Sequence, residues 1–115
     1  MATTYSKVQL SGAESTGGWK TLTDTATLGQ TLHTAHASAL DEIWLWATNE
    51  GDATETLTLE WGSVDHPQIT RIPPKEPPIQ ISPGFIITDS DVLSAFVSTT
   101  GVVMIHGYVN RITST

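Results

Sequence analysis

The chain has no cysteine. Disulfides, thiolate nucleophiles and thiolate metal sites are therefore excluded, which fits assembly in a reducing cytoplasm. Charge is scarce at 15%, and cations are scarcer still: 5 Lys and Arg against 12 Asp and Glu leave a net charge of −7 over 115 residues. A nucleic-acid binder normally carries a basic stripe that displaces phosphate counterions, so no nucleic-acid partner is expected. Long apolar runs are also missing. None approaches the roughly 20 residues of a membrane helix. The start, MATTYSKVQL, lacks the basic and apolar regions of a secretory signal. Neither membrane association nor export by such a signal is expected. Helical periodicity is absent too, with no window of about 11 residues placing apolar side chains on one helix face.

What remains is rich in Thr, Val, Ile and Trp, residues that suit a pleated, half-buried surface. TETLTLEWG puts Leu57, Leu59 and Trp61 on one face and Thr56, Thr58 and Glu60 on the other. GVVMIHGYVNRI sets Val103, Ile105, Gly107 and Val109 against Val102, Met104, His106 and Tyr108. VLSAFVS is a further candidate, as are shorter runs at Lys7–Leu10, Thr27–Thr34, Gln68–Ile72, Ile79–Ile81 and Phe85–Thr88. Turn signals separate them: GAESTGG, NEGDA, PPKEPP, SPG and TTG. The four prolines at 73–78 cannot lie in a central strand and are expected in an extended loop. The expected class is all-β: an antiparallel β-sandwich or jelly roll of about eight short strands. Residues 27–115 are expected to form the sandwich. The polar, Gly-rich residues 1–26 are expected to form an extended N-terminal arm with Trp19 as an anchor.

The segment DEIWLWAT carries apolar side chains on both faces: Ile43, Leu45 and Ala47 on one, Trp44 and Trp46 on the other. Which face is dry depends on register. If NEGDA is a five-residue hairpin loop, Ile43 and Leu45 oppose Leu59 and Leu57, and both Trp face outward. A six-residue loop turns the Trp inward. The five-residue loop is preferred, being an ordinary hairpin connection. Either way one apolar pair is left outside, to be covered by the arm, by a partner protein or by a sugar ring. Exposed aromatics of that size commonly mark an interface. The expected protein-interface residues are Tyr5, Val8, Leu10, Trp19, Trp44 and Trp46.

Catalytic and metal-binding patterns are weak. His33, His36, His66 and His106 are dispersed, and a transition metal needs three or four convergent ligands. Asp89 and Asp91 in DSD supply too few oxygens for calcium and read as a turn. Ser98, Thr99 and Thr100 have no accompanying His–Asp pattern, and SPG and HGY are not nucleophile elbows. Asp41–Glu42 and Glu60 form a possible carboxylate pair across the hairpin, but a glycosidase also needs a cleft. No enzyme, cofactor or metal is expected.

The order RIPPKEPPIQISPGFIITDSDVLSAFVSTTGVVMIHGYVNRI, preceded by DEIWLWATNEGDATETLTLEWG, resembles small all-β virion proteins of tailed bacteriophages, over roughly residues 27–112. The similarity is to capsid decoration or cement proteins and related head or tail accessories, including tail and neck components. It implies a non-enzymatic role on the capsid surface, with assembly in the host cytoplasm. The implied partner is the major capsid protein or another virion protein. A homo-oligomer is expected, a trimer preferred over a dimer, with the arm crossing to a neighbouring chain. The rival expectation is a carbohydrate-binding sandwich that uses Trp44, Trp46 or Trp61 against a glycan.

Overall fold

Alternating apolar and hydroxyl-bearing residues give nine strands in the computed structural model, which describes residues 2–13 and 19–114. They are β1 (Thr3–Val8), β2 (Trp19–Thr21), β3 (Gln30–Thr34), β4 (Leu40–Asn49), β5 (Glu55–Trp61), β6 (Pro67–Ile72), β7 (Ile79–Ile87), β8 (Val92–Val97) and β9 (Val103–Ser114). One sheet, here called A, has the order β1-β9-β4-β7, and β2 shares with β1 the far edge of β9. The other, sheet B, has the order β3-β8-β5-β6. Every pairing is antiparallel, so the all-β sandwich expected from the alternation is the fold that forms. The expected GAESTGG turn lies largely outside the described residues.

The inner faces interdigitate as the pleat requires. Ile43, Leu45 and Ala47 of β4 and Val103, Ile105 and Val109 of β9 meet Leu57 and Leu59 of β5 and Leu93, Ala95 and Val97 of β8; all are fully buried. Each large aliphatic side chain so buried contributes roughly 1.5–3 kcal/mol. Gly107 occupies an inner-face position of β9 because a Cβ there would stand 2.0 Å from the Trp44 carbonyl oxygen.

Three sequence expectations are corrected. First, β4 and β5 do not form a hairpin. β4 lies between β9 and β7, and β5 between β8 and β6. NEGDA therefore carries the chain from sheet A to sheet B, and neither proposed register exists. Two strands that each have a dry face can bury them by facing one another across the core, without sharing a ladder. Asn49 holds this corner: Nδ2 donates to Ala53 O at 2.8 Å and Ile72 O at 2.9 Å, and Oδ1 accepts from Gly51 N. The facing of β4 is nonetheless the one preferred, with Ile43 and Leu45 inside.

Second, the described part of residues 1–26 does not stand apart. β1 runs along β9 from Thr3↔Ser114 to Val8↔Val109, and Leu10 (3% exposed) and Leu22 (0%) are core residues. An open β9 edge requires cover, and the chain's own start supplies it. Third, SPG is no turn. It lies inside β7, which runs unbroken through Ile79–Ile81 and Phe85. The register shifts twice against β4, and Gly84 adopts φ +88° at one of these irregularities. Pro83 is tolerated because β7 is an edge strand. PPKEPP is the expected loop, joining β6 to β7 across the sandwich.

Candidate functional site

The register of β1, β9, β4 and β7 arranges the outer face of sheet A in rows. Tyr5, Ile112 and Leu40 form one row. Lys7, Asn110, Glu42 and Ile86 form the next. Tyr108, Trp44 and Pro83 follow, then Trp19, His106, Trp46 and Gln80. The Tyr108 ring sits 6.3 Å from both Trp44 and Trp46, at interplanar angles of 14° and 28°. Lys7 Nζ stands 5.1 Å above the Tyr108 ring centroid, a cation–π contact. Trp19 lies over His106 at 4.4 Å. Asn110 Nδ2 donates to Glu42 Oε1 at 3.0 Å, so the polar row is internally paired. The outer face of sheet B is different. There Thr56 and Thr31 lie beside Phe96, Ile69 and Val92, the last two 67% and 36% exposed, and the loop before β3 folds over Glu60, which accepts from Gly29 N at 2.8 Å, from Thr27 Oγ1 and from Ser94 Oγ.

The second face of DEIWLWAT is thus covered partly by the chain itself. Trp44 packs on Tyr108 and against Gly84, where a Cβ would stand 2.8 Å from Trp44 Cζ2. Trp44, Trp46 and Tyr108 remain half-buried, with one side toward solvent. Of the other residues expected at an interface, Tyr5 is 69% exposed and Trp19 36%. Val8 is half-buried against the core. Leu10 is in the core and presents nothing outward, a correction that follows from the chain's start being part of the sandwich. Trp61 does not join this face. It lies at the inner end of β5, edge-on to Phe85 at 5.8 Å, and its Nε1 donates to Gln68 Oε1. Sequence reasoning missed Lys7, Tyr108 and His106 as members of the patch. Alternation in β9 places Tyr108 and His106 on one face, but only the β4–β9 pairing brings them against the two Trp.

A second polar cluster is buried between the sheets. His33 of β3, 1% exposed, lies 2.8 Å from Asp41 Oδ2 of β4 through Nε2. Ser11 N–H donates to His33 Nδ1 at 3.0 Å, so Nε2 carries the proton and donates to the carboxylate. Arg111 of β9 adds a two-pronged contact, Nε to Oδ1 at 2.8 Å and a terminal nitrogen to Oδ2 at 3.0 Å. His36 N–H adds a fourth at 3.2 Å. Burial pushes the Asp41 carboxyl up, but the hydrogen bonds from Arg111, His33 and His36 outweigh it and hold the group at about 2, below its ordinary 3.8. The same pairing raises Arg111. With Nδ1 occupied and the ring shut away from solvent, the His–Asp pair is a bolt between the sheets and offers no base to a substrate. Asp41 and Glu60 belong to different sheets with separate partners, so the carboxylate pair considered from sequence does not assemble. Among the described residues no three His, Asp or Glu side chains converge, and no cleft is found. Asp89 and Ser90 have φ of 57° and 61° and form the turn into β8.

No protein-family model matches this chain, and no curated protein matches it.

Proposed function

We propose that this chain is a non-enzymatic structural protein of a virion, a capsid decoration or cement protein that binds the major capsid protein lattice and stabilises the head. The observation that carries this reading is the ring run of Trp44, Tyr108 and Trp46 on the outer face of sheet A, stacked across the strands with centroids 6.3 Å apart and left half-buried with one side toward solvent. Aromatic side chains fixed by cross-strand contacts lose little conformational freedom on binding, and Trp and Tyr dominate binding hot spots. Such a face suits a broad protein surface better than a small substrate. The site of action is the capsid surface, after assembly in the host cytoplasm. A tail or neck position is the same reading at another place on the particle. The test is co-sedimentation of purified protein with phage heads that lack it, and separately with tails. Retention on heads, lost with Trp46→Ala in a protein that still melts normally, supports the proposal. No retention on either particle sinks it.

One observation favours a second reading. The ring run Trp44, Tyr108 and Trp46 is bordered by Asn110, Glu42, Lys7 and Gln80, which offers hydrogen-bonding groups beside apolar rings, as a glycan platform requires. Retardation in polysaccharide affinity gels, abolished by the same Trp46→Ala change, identifies that case.

A further inference from the structure

Among the described residues, sheet edges lie at β1 and the three-residue β2, which share one side of β9, and at β3, β6 and β7, and the chain blunts these last three. The Ser11–Gly12 turn covers β3: Gly12 N donates to Leu32 O at 2.9 Å, and Thr34 N to Ser11 Oγ at 2.8 Å. β6 and β7 are tied by Gln68 Nε2, which donates to Ile81 O at 2.7 Å. β7 is also broken by two register shifts and Pro83, and β6 begins with Pro67. β1 is otherwise. Its six residues, TTYSKV, hold an uninterrupted register on β9, contain no proline and are exposed from Thr3 to Lys7. Among the described residues no strand lies along its outer side. Every second residue of such an edge directs its N–H and C=O outward, a template for another strand.

Charge narrows the occupant. In a chain of net −7, strands β1, β2 and β9 contain no carboxylate and hold three of the five cations, Lys7, Lys20 and Arg111. β1 itself carries one cation, Lys7, and no carboxylate, so two copies meeting there bring no acidic groups together. We propose that β1 pairs antiparallel with β1 of a second copy, about a two-fold axis through Ser6, joining both A sheets into one. In that register Tyr5 opposes Lys7 of the other copy twice on the outer face, a cation–aromatic pairing. Thr4 opposes Val8 on the inner face, and no two lysines meet. The two aromatic faces become a single continuous surface. A two-fold edge pairing gives a dimer, in place of the trimer expected from sequence. It is independent of the virion reading.

The absence of cysteine makes the test direct. In this register Ser6 faces its own copy with Cα atoms about 4.5–5.5 Å apart, within disulfide reach. Under mild oxidation of the full chain, Ser6→Cys should form covalent dimer at least ~10-fold faster than Ile69→Cys, an exposed position on β6. An equimolar mixture of Thr4→Cys and Val8→Cys chains should cross-link faster than either alone. Sedimentation of the unmodified protein should show mass rising with concentration, and Tyr5→Lys, at a 69%-exposed position, should weaken the dimer at least ~10-fold by placing lysines opposite one another. Equal rates for Ser6→Cys and Ile69→Cys, or a monomer at every concentration, overturns the proposal.

Discussion

Replacing Asp41 with Asn tests the buried bolt. Asn keeps the shape but removes the charge, and its amide group must present hydrogens to donors that the carboxylate accepted. Four donors converge on Asp41, two of them from Arg111 at 2.8 and 3.0 Å. Breaking a buried pair of this kind costs about 3–5 kcal/mol. Arg111 retains 24% side-chain exposure and can recover some hydration, so a loss of about 3 kcal/mol at pH 7 is expected. The pH dependence is the sharper signature. A carboxyl held at about 2 against an ordinary 3.8 contributes about 2 kcal/mol of stability. Because the folded value is depressed, that contribution is complete above pH 3.8 and is lost as pH falls through about 2. The stability difference between the native chain and the Asp41→Asn variant should therefore be constant from pH 7 to 5 and shrink by about 2 kcal/mol toward pH 2. Urea unfolding followed by tryptophan fluorescence measures it. Other carboxylates titrate in both proteins and cancel in the difference. A gap that stays constant down to pH 2 would refute the claim that Asp41 is charged and paired in the fold.

Leu45→Ala should cost about 2–5 kcal/mol in thermal or urea unfolding, whereas Trp44→Ala should cost under about 2 kcal/mol, since its ring keeps a solvent-facing side; equal losses would place Trp44 in the core. Gly84→Ala should destabilise by about 1–3 kcal/mol through its positive φ and the contact with Trp44, read as a drop in urea midpoint, and an unchanged midpoint would contradict the packing described. Leu10→Ala should cost about 2–5 kcal/mol; a neutral result would restore a detached N-terminal arm. Chelator should leave the melting temperature unchanged, and a fall of many degrees would point to a bound cation.

Alternation of Thr with Leu, Val and Ile determined by itself that the chain is all-β, and it separated the two faces of β4, β5 and β9, because the pleat has period two whatever the partner strand is; it marked the dry face only in β5, where Leu57 and Leu59 alternate with Thr and Glu, and left β4 and β9 two-sided. The prolines of PPKEPP likewise announced a loop through the hydrogen bonds they cannot donate. Composition carried the absence of thiol chemistry and the acidic surface. Partnership was decided only in the tertiary structure. DEIWLWAT and TETLTLEWG read equally well as hairpin neighbours or as strands facing across a core, since both arrangements bury the same side chains. The choice rests on Asn49 and on the pairing of β4 with β9, 54 or more residues away in sequence. Leu10 and Leu22 looked like isolated apolar residues in a polar arm because their partners are distant along the chain. For the same reason the aromatic patch was half legible: Trp44 and Trp46 were visible in one strand, while Tyr108, His106 and Lys7 reached them only through sheet register. His33, Asp41 and Arg111, on three strands of two sheets, gave no local signal at all, because a buried ion pair is fixed by burial and distance and by nothing in the spacing of its members.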